Sequence, residues 1–205
     1  MKQRQRQRQR QRHMDNPIIK FESWWQEALI DCPLRQKSAV CVSTIDEGGF
    51  PSGRFVDLKS VSEKGFVFCT YLDSVKGKHI THNSKAAMTI WWDHVGYQIR
   101  VVGTAEVITD VEADVFWQTR SRSAQLTTIA FDQSESLAVE DDLTIRLQDA
   151  STSFAEKPIP RPNSWGGYCI KPVSIEFLTF RESRLHLREL FKCEDNGWFK
   201  QLLQP

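Results

Sequence analysis

The sequence lacks the motifs that define several common classes of enzyme and metal protein. Its five cysteines lie far apart and form no C-x-x-C pair, so we expect no metal site and no redox dithiol, only buried free thiols. It contains no Gly-x-Gly-x-x-Gly, P-loop, Gly-x-Ser-x-Gly or His-Glu-x-x-His. These absences argue against the nucleotide-binding, hydrolase and zincin classes that such motifs mark.

The sequence also has no long apolar segment. No run approaches the roughly 18 apolar residues that cross a membrane, and the first residues have no apolar core of a signal peptide. We therefore expect a cytoplasmic protein that does not contact membranes.

Residues 1–13 alternate Gln and Arg, and His13-Met14 resembles a cloning junction before a natural start. We interpret them as an expression tag or disordered leader, and residues 14–205 as a single domain. An alternative is a nucleic-acid-binding arm, since spaced cations displace counterions from phosphates. Without Lys2 and the five Arg of this segment, 21 basic residues face 26 acidic ones. Such an acidic body argues against nucleic acid as a partner but permits one focused cationic pocket.

The hydrophobic pattern predicts mainly β structure with flanking helices. Helices are predicted over 17–31, within 73–83, over 111–121 and over 135–149, the first because Asn16-Pro17 is a good helix start. Residues 157–167, KPIPRPNSWGG, are predicted to form a loop, and Asn196-Gly197 a hairpin turn. Short segments rich in β-branched and aromatic residues predict strands in an antiparallel barrel or sandwich: SAVCVSTID, RFVDLKSV, GFVFCTYL, AAMTIWWD, YQIRVVGTAEVIT and YCIKPVSIEFLTF.

Several lysine and arginine residues lie within the strand-like and turn-like segments of the sequence. Arg donates two parallel hydrogen bonds to phosphate and Lys supplies a point charge, so the set has enough donors for two phosphates. The alternative is that these cations are solvated on the outer face of a barrel. The set comprises Arg54, Lys59, Lys76, Lys78, Arg120, Arg122, Arg184 and Arg188.

The segment Arg184-Leu185-His186-Leu187-Arg188 alternates polar and apolar side chains. In a strand, the three polar side chains would project from one face. The alternation therefore predicts a cationic strand face that carries an imidazole, unless it is an ordinary charged surface strand.

Three stretches make the chain resemble the pyridoxamine 5'-phosphate oxidase family from about Arg54 to Pro205. RFVDLKSVSEKGFVFCTYLDSVKGKHITHN resembles its FMN-binding stretch, SWGGYCIKPVSIEFLTFRESRLHLR its C-terminal signature, and NGWFKQLLQP its terminus. The resemblance implies an antiparallel split β-barrel, FMN-binding and homodimeric, with both subunits lining each FMN cleft.

The resemblance also implies site residues. Substrate contacts would be Lys59, Arg120, Arg184 and His186, of which Arg184 and His186 would also be catalytic by orienting the substrate over the flavin. FMN contacts would be Arg54, Phe55, Val56, Asp57, Leu58, Lys59, Cys69, Thr70, Lys76, Gln98, Gln133, Ser134 and Arg188. The implied reaction oxidises pyridoxamine or pyridoxine 5'-phosphate to pyridoxal 5'-phosphate with O2 as acceptor.

Four positions depart from the family pattern. Phe116 and Ala124 replace two hydroxyl-bearing ligands of the substrate phosphate, Val75 replaces a cation and Leu178 replaces a tryptophan near the flavin. Two alternatives follow: a related FMN-dependent oxidase of another aromatic substrate, of the phenazine type, or a non-catalytic flavin-binding module.

Overall fold

The computed structural model describes residues 16–138, 141–195 and 197–205. Six antiparallel strands close a barrel in the order β3-β2-β1-β4-β5-β6, because β3 also pairs with β6, and β7 and β8 extend the sheet beyond β6. The strands are β1 Ala39–Ile45, β2 Pro51–Ser62, β3 Gly65–Tyr71, β4 Lys85–Trp92, β5 Tyr97–Val107, β6 Trp165–Thr179, β7 Leu187–Glu194 and β8 Gly197–Leu203. The predicted antiparallel barrel is confirmed.

Five α-helices and one 3-10 turn flank the barrel in the described part of the chain. They are α1 Pro17–Leu29, α2 Val75–His82, the 3-10 turn Asp93–Val95, α3 Asp110–Gln118, α4 Arg122–Ala130 and α5 Leu143–Ser153. Helix α1 begins as predicted, with the Asn16 side chain accepting a hydrogen bond from the Ile18 N–H. Its Phe21 is fully buried and meets Phe66 edge to face, with ring centroids 4.9 Å apart.

The middle helices differ in part from the predictions. The helix expected over 135–149 begins at Leu143, because the Asp142 side chain caps it by accepting from two backbone N–H groups. Helix α4 was not predicted. Helix α3 forms as expected, and it buries Ala113 and Trp117 while Val111 and Val115 are exposed.

The loop prediction for 157–167 is wrong at its end. Trp165 and the two glycines after it belong to β6 and pair with the end of β3. Gly167 is required there, since a Cβ would lie 2.5 Å from the Phe68 carbonyl oxygen. The strand therefore brings Trp165 directly opposite Tyr71.

The tail forms the predicted hairpin, in which Glu194 of β7 pairs with Gly197 of β8. Asn196 itself lies outside the described residues, as do residues 1–13. The five thiols are free, but none is fully buried and Cys193 is exposed, so our expectation of buried thiols is wrong. No described helix is long and apolar enough to span a membrane.

Candidate functional site

A pocket of about 430 Å³ lies where β2 and β3 meet α2, α4 and the segment after α4. This volume is within the range of small-molecule sites. The lining residues are Arg54, Phe55, Val56, Asp57, Lys59, Cys69, Thr70, Tyr71, Val75, Lys76, Arg120, Thr128, Gln133, Ser134 and Trp165. The pocket therefore combines strand residues with groups from two helices.

Lys76, in the first turn of α2, is the most buried cation of the pocket, at 8% exposure. Its Nζ donates to Thr70 Oγ1 at 2.9 Å, Ser74 Oγ at 3.2 Å and Gln133 Oε1 at 2.8 Å. Burial, and secondarily the charge of Arg54, lowers the pKa of Lys76 to about 8. Among the described residues, only neutral oxygens accept hydrogen bonds from this ammonium group.

Arg54 comes from β2 and is fixed by neighbouring strand residues. Its Nη1 donates to Thr44 Oγ1 at 2.7 Å and to the Val42 carbonyl oxygen at 3.2 Å, and its Nη2 donates to Ser52 Oγ at 2.9 Å. Burial lowers the pKa of Arg54. This guanidinium is also held by neutral acceptors.

Arg120 follows α3 and packs against two indole rings that contact each other, with centroids 5.0 Å apart. Its guanidinium carbon lies 5.0 Å from the centroid of the Trp165 ring and 5.7 Å from that of Trp117. Its Nη2 donates to the Ala124 carbonyl oxygen and to Thr128 Oγ1, both at 3.0 Å. Burial lowers the pKa of Arg120 as well.

These three cations have no ion-pair partner among the described residues. No carboxylate oxygen lies within 4.0 Å of the charged nitrogens of Arg54, Lys76 or Arg120, whereas Lys59 in the same pocket pairs with Asp57 at 3.5 Å. Proteins normally pair charges that they bury. Three partly desolvated, unpaired cations therefore fit a ligand that brings negative charge.

The pocket also has neutral groups suited to a polyhydroxylated ligand. Gln133 and Thr70 are hydrogen bonded to each other at 2.9 Å. Ser134 adopts a left-handed φ of 77°, a conformation that non-glycine residues keep where the surroundings or function require it. Burial raises the pKa of the Cys69 thiol to about 11, so this cysteine is a neutral wall group and no nucleophile near pH 7.

The structure brings together most of the residues that the sequence predicted. Leu58 is the exception within the β2 run, since its side chain is buried in the barrel core. The pocket also contains Tyr71, Thr128 and Trp165, which sequence reasoning missed. The predicted residues that line it are Arg54, Phe55, Val56, Asp57, Lys59, Cys69, Thr70, Lys76, Arg120, Gln133 and Ser134.

Four predicted residues form a separate group and do not line this pocket. Gln98 of β5 lies opposite Leu178 of β6, which lies opposite Arg188 of β7, so the three form one row across the sheet. Arg188 donates to Glu176 Oε1 at 2.8 Å. Arg184 and His186 lie in the turn before β7.

The prediction that Arg184, His186 and Arg188 share one strand face is wrong, because β7 begins only at Leu187. Arg184 has a left-handed φ of 60°, and its N–H donates to the Arg181 carbonyl oxygen at 3.0 Å. His186 is held by its Nδ1, which accepts from the Arg181 N–H at 3.1 Å. A tight turn therefore presents these two side chains.

Three of the four departures from the family pattern do not line the pocket, and one of them, Leu178, lies in the row between Gln98 and Arg188. Phe116 lines another cavity, of about 300 Å³, beside α3, and Ala124 contributes only its carbonyl oxygen to Arg120. Val75 does line the cationic pocket, where it adds an apolar side chain.

A six-stranded antiparallel barrel with a pocket of unpaired cations defines a split-barrel protein with a site suited to a small anionic ligand. Comparison with known sequences is more specific: residues 27–152 match the family model described as "Pyridoxamine 5'-phosphate oxidase", and residues 165–205 match "Pyridoxine 5'-phosphate oxidase C-terminal dimerisation region". The chain belongs to the pyridoxamine 5'-phosphate oxidase family.

Individual relatives agree with this assignment. The chain is 36% identical to a pyridoxine/pyridoxamine 5'-phosphate oxidase of Acaryochloris marina over 93% of this chain and 86% of the relative. It is 39% identical to one of Synechocystis sp. over 93% and 89%.

Solved structures confirm the fold. PhzG from Burkholderia lata, in complex with tetrahydrophenazine-1-carboxylic acid, superimposes with a TM-score of 0.86 at 28% identity and covers 93% of both chains. An FMN-binding, pyridoxamine 5'-phosphate oxidase-related protein from Nostoc punctiforme gives 0.73 at 17% identity, over 89% of this chain and 95% of its own.

Proposed function

We propose that the protein is an FMN-dependent oxidase that converts pyridoxamine or pyridoxine 5'-phosphate to pyridoxal 5'-phosphate, with O2 as acceptor. The observation that carries the proposal is the pocket of unpaired cations, since both FMN and the substrate bring a phosphate. The relatives, which are 36–39% identical over nearly the whole chain, are named pyridoxine/pyridoxamine 5'-phosphate oxidases, and these names indicate the reaction.

The four cations of the pocket are enough to hold two phosphates. Lys76 and Arg54 would hold the FMN phosphate, and Gln133, Ser134 and Thr70 would hydrogen-bond the rest of the cofactor. FMN, when bound, would take a hydride from the substrate carbon and pass the electrons to O2, which leaves as hydrogen peroxide. Arg120 and Lys59 would hold the phosphate of the substrate.

We propose further that the working site is assembled from two subunits. The match of residues 165–205 to a dimerisation region supports this. So does the separation within one chain between the cationic pocket and the group formed by Gln98, Arg184, His186 and Arg188. A partner would place its own copy of this group over the pocket, and Arg184 and His186 would then orient the substrate ring.

The test uses the purified full chain. A yellow protein that releases FMN on denaturation and forms pyridoxal 5'-phosphate and peroxide from pyridoxamine 5'-phosphate supports the proposal. A flavoprotein that no phosphorylated B6 compound reduces under anaerobic conditions contradicts it and leaves two alternatives, an oxidase of another aromatic substrate or a non-catalytic flavin-binding module. A protein that binds nucleic acid but no flavin contradicts both the proposed reaction and the proposed cofactor.

A second candidate is an oxidase of another aromatic compound, of the phenazine type. It is favoured by Phe116 and Ala124, which offer no hydroxyl to a substrate phosphate, and by the fold similarity to PhzG. Anaerobic reduction of the flavin by a reduced phenazine carboxylate, at equal concentration to pyridoxamine 5'-phosphate, separates the two. The faster reductant identifies the substrate class.

A further inference from the structure

We propose that Thr128 is a positioning residue that locks the guanidinium of Arg120 in the pocket and thereby sets the affinity for a phosphorylated substrate. The proposal rests on the proposed function, because it takes Arg120 as a ligand of the substrate phosphate. Thr128 lies on α4, lines the pocket and is only 7% exposed.

The hydroxyl of Thr128 connects Arg120 to the helix backbone. Thr128 Oγ1 donates its single hydrogen to the Ala124 carbonyl oxygen at 2.9 Å, which leaves its lone pairs to accept from Arg120 Nη2 at 3.0 Å. The same Nη2 also donates to the Ala124 carbonyl oxygen at 3.0 Å. Nη2 is thus held by two oxygens that one helical turn keeps together.

The rest of the guanidinium is positioned by aromatic rings. Arg120 packs against the contacting rings of Trp165 and Trp117, and the Trp117 ring is itself fixed, because its Nε1 donates to the Ile159 carbonyl oxygen at 2.8 Å. In the described part of the chain, Arg120 makes hydrogen bonds through Nη2 alone. Nε and Nη1 have no acceptor among the described residues, and since Nε is buried, Nη1 is the nitrogen left to donate to a ligand.

The helix that carries Thr128 is anchored to the barrel at the same residue. The Tyr71 hydroxyl, at the end of β3, donates to the Thr128 carbonyl oxygen. Strand β3 thus fixes Thr128, and Thr128 fixes Arg120. A preorganised arginine spares the entropy of ordering a long side chain when the ligand binds.

This arrangement predicts a specific kinetic signature. A phosphate far from the reacting carbon is bound alike in the ground state and the transition state, so loosening Arg120 should raise KM and leave kcat unchanged. A lost hydrogen bond to a charged group corresponds to a factor of about ten in affinity.

The experiment compares Thr128→Val with Thr127→Val in the FMN-loaded enzyme. Thr127 is the matched control, since its hydroxyl makes the same bond to the helix backbone, to the Ser123 carbonyl oxygen at 2.9 Å, but faces solvent. With pyridoxamine 5'-phosphate, we expect Thr128→Val to raise KM about tenfold with kcat and FMN content within twofold of the parent. Thr127→Val should match the parent, and Thr128→Ser should restore its KM.

An unchanged KM in Thr128→Val, an equal rise in Thr127→Val, or a Thr128→Ser variant as impaired as Thr128→Val would each overturn the inference. Should Thr128→Val not fold, Thr128→Ala must show the same rise in KM. Failure of the proposed function looks different, because the parent itself would not turn over. Titration of inorganic phosphate against tryptophan fluorescence would then decide, with about tenfold weaker binding expected in Thr128→Val.

Discussion

Lys76 offers the sharpest test of the pocket as a phosphate site. Replacing it with methionine keeps the apolar length of the side chain and removes the charge that three neutral oxygens now hold. A hydrogen bond to a charged group is worth roughly 1.5 to 3 kcal/mol, so Lys76→Met should weaken FMN binding by about tenfold to 150-fold.

Lys78→Met is the matched control, two residues along the same helix. Lys78 is exposed and its Nζ lies 3.3 Å from Glu135 Oε1, a surface pair worth about 0 to 1 kcal/mol. Quenching of free FMN fluorescence by added apoprotein gives Kd for both variants. Equal losses in the two variants, or unchanged binding in Lys76→Met, would refute our placement of the phosphate.

The same pair of variants gives a pH dependence whose sign follows from the structure. Burial lowers the pKa of Lys76 to about 8, and only the protonated ammonium attracts the phosphate. FMN affinity should therefore be highest below that pKa and fall as the pH rises through it toward about 9, while the phosphate stays a dianion throughout. This fall should persist in Lys78→Met and disappear in Lys76→Met.

Three further outcomes are expected. Arg184→Ala and His186→Ala should slow anaerobic flavin reduction by pyridoxamine 5'-phosphate about a hundredfold with FMN content unchanged, since misplacing a reacting carbon by about 1 Å has that effect. If stopped-flow gives the parental rate for either variant, that residue does not orient the substrate. Sedimentation at decreasing concentration should release flavin and subunits together, and a monomer with stoichiometric FMN would contradict the shared site. Iodoacetamide near pH 8 should label exposed Cys193 and spare Cys69, whose pKa burial raises to about 11; mass spectrometry of labelled peptides checks this.

The strands could be predicted from the sequence because their cause is local. In β4, the alternation of buried Ala86, Met88, Ile90 and Trp92 with outward side chains repeats every second residue, as a half-buried strand requires. The same alternation places Trp92 in the barrel core and leaves Trp91 43% exposed.

Helix α4 could not be predicted from its own residues, because contacts from outside the helix stabilise it, including one from a strand distant in sequence. RSAQLTTIA has little apolar periodicity, and the helix is held by the Tyr71 hydroxyl and by the guanidinium of Arg120. The start of α5, by contrast, was signalled by Asp142, whose side chain caps the helix. Our placement of that helix over 135–149 gave this capping residue too little weight.

The site residues could be located by resemblance to a known family, but no rule of spacing along the sequence would have located them. Lys76 and Gln133 are 57 positions apart, yet Nζ and Oε1 lie 2.8 Å from each other. The alternation of side chains at Arg184 and His186 predicted a strand face, and this prediction is wrong, because hydrogen bonds to Arg181 hold the segment in a turn. Alternation predicts a face only where a neighbouring strand pairs with the segment.

The two groups of predicted residues differ in how their charges are balanced, and this difference bears on where an anion would bind. Arg188 is neutralised within its own chain by Glu176, which is buried and also lies 3.6 Å from Arg100. Arg54 and Lys76 have no such carboxylate among the described residues. The binding free energy of a phosphate should therefore be most favourable in the cationic pocket, where the phosphate supplies the negative charge that the cations lack. It should be least favourable beside Arg188, where the phosphate would compete with Glu176. By this reasoning, both phosphates of the proposed reaction belong to the pocket, and the second group is left to act on the uncharged rings between them.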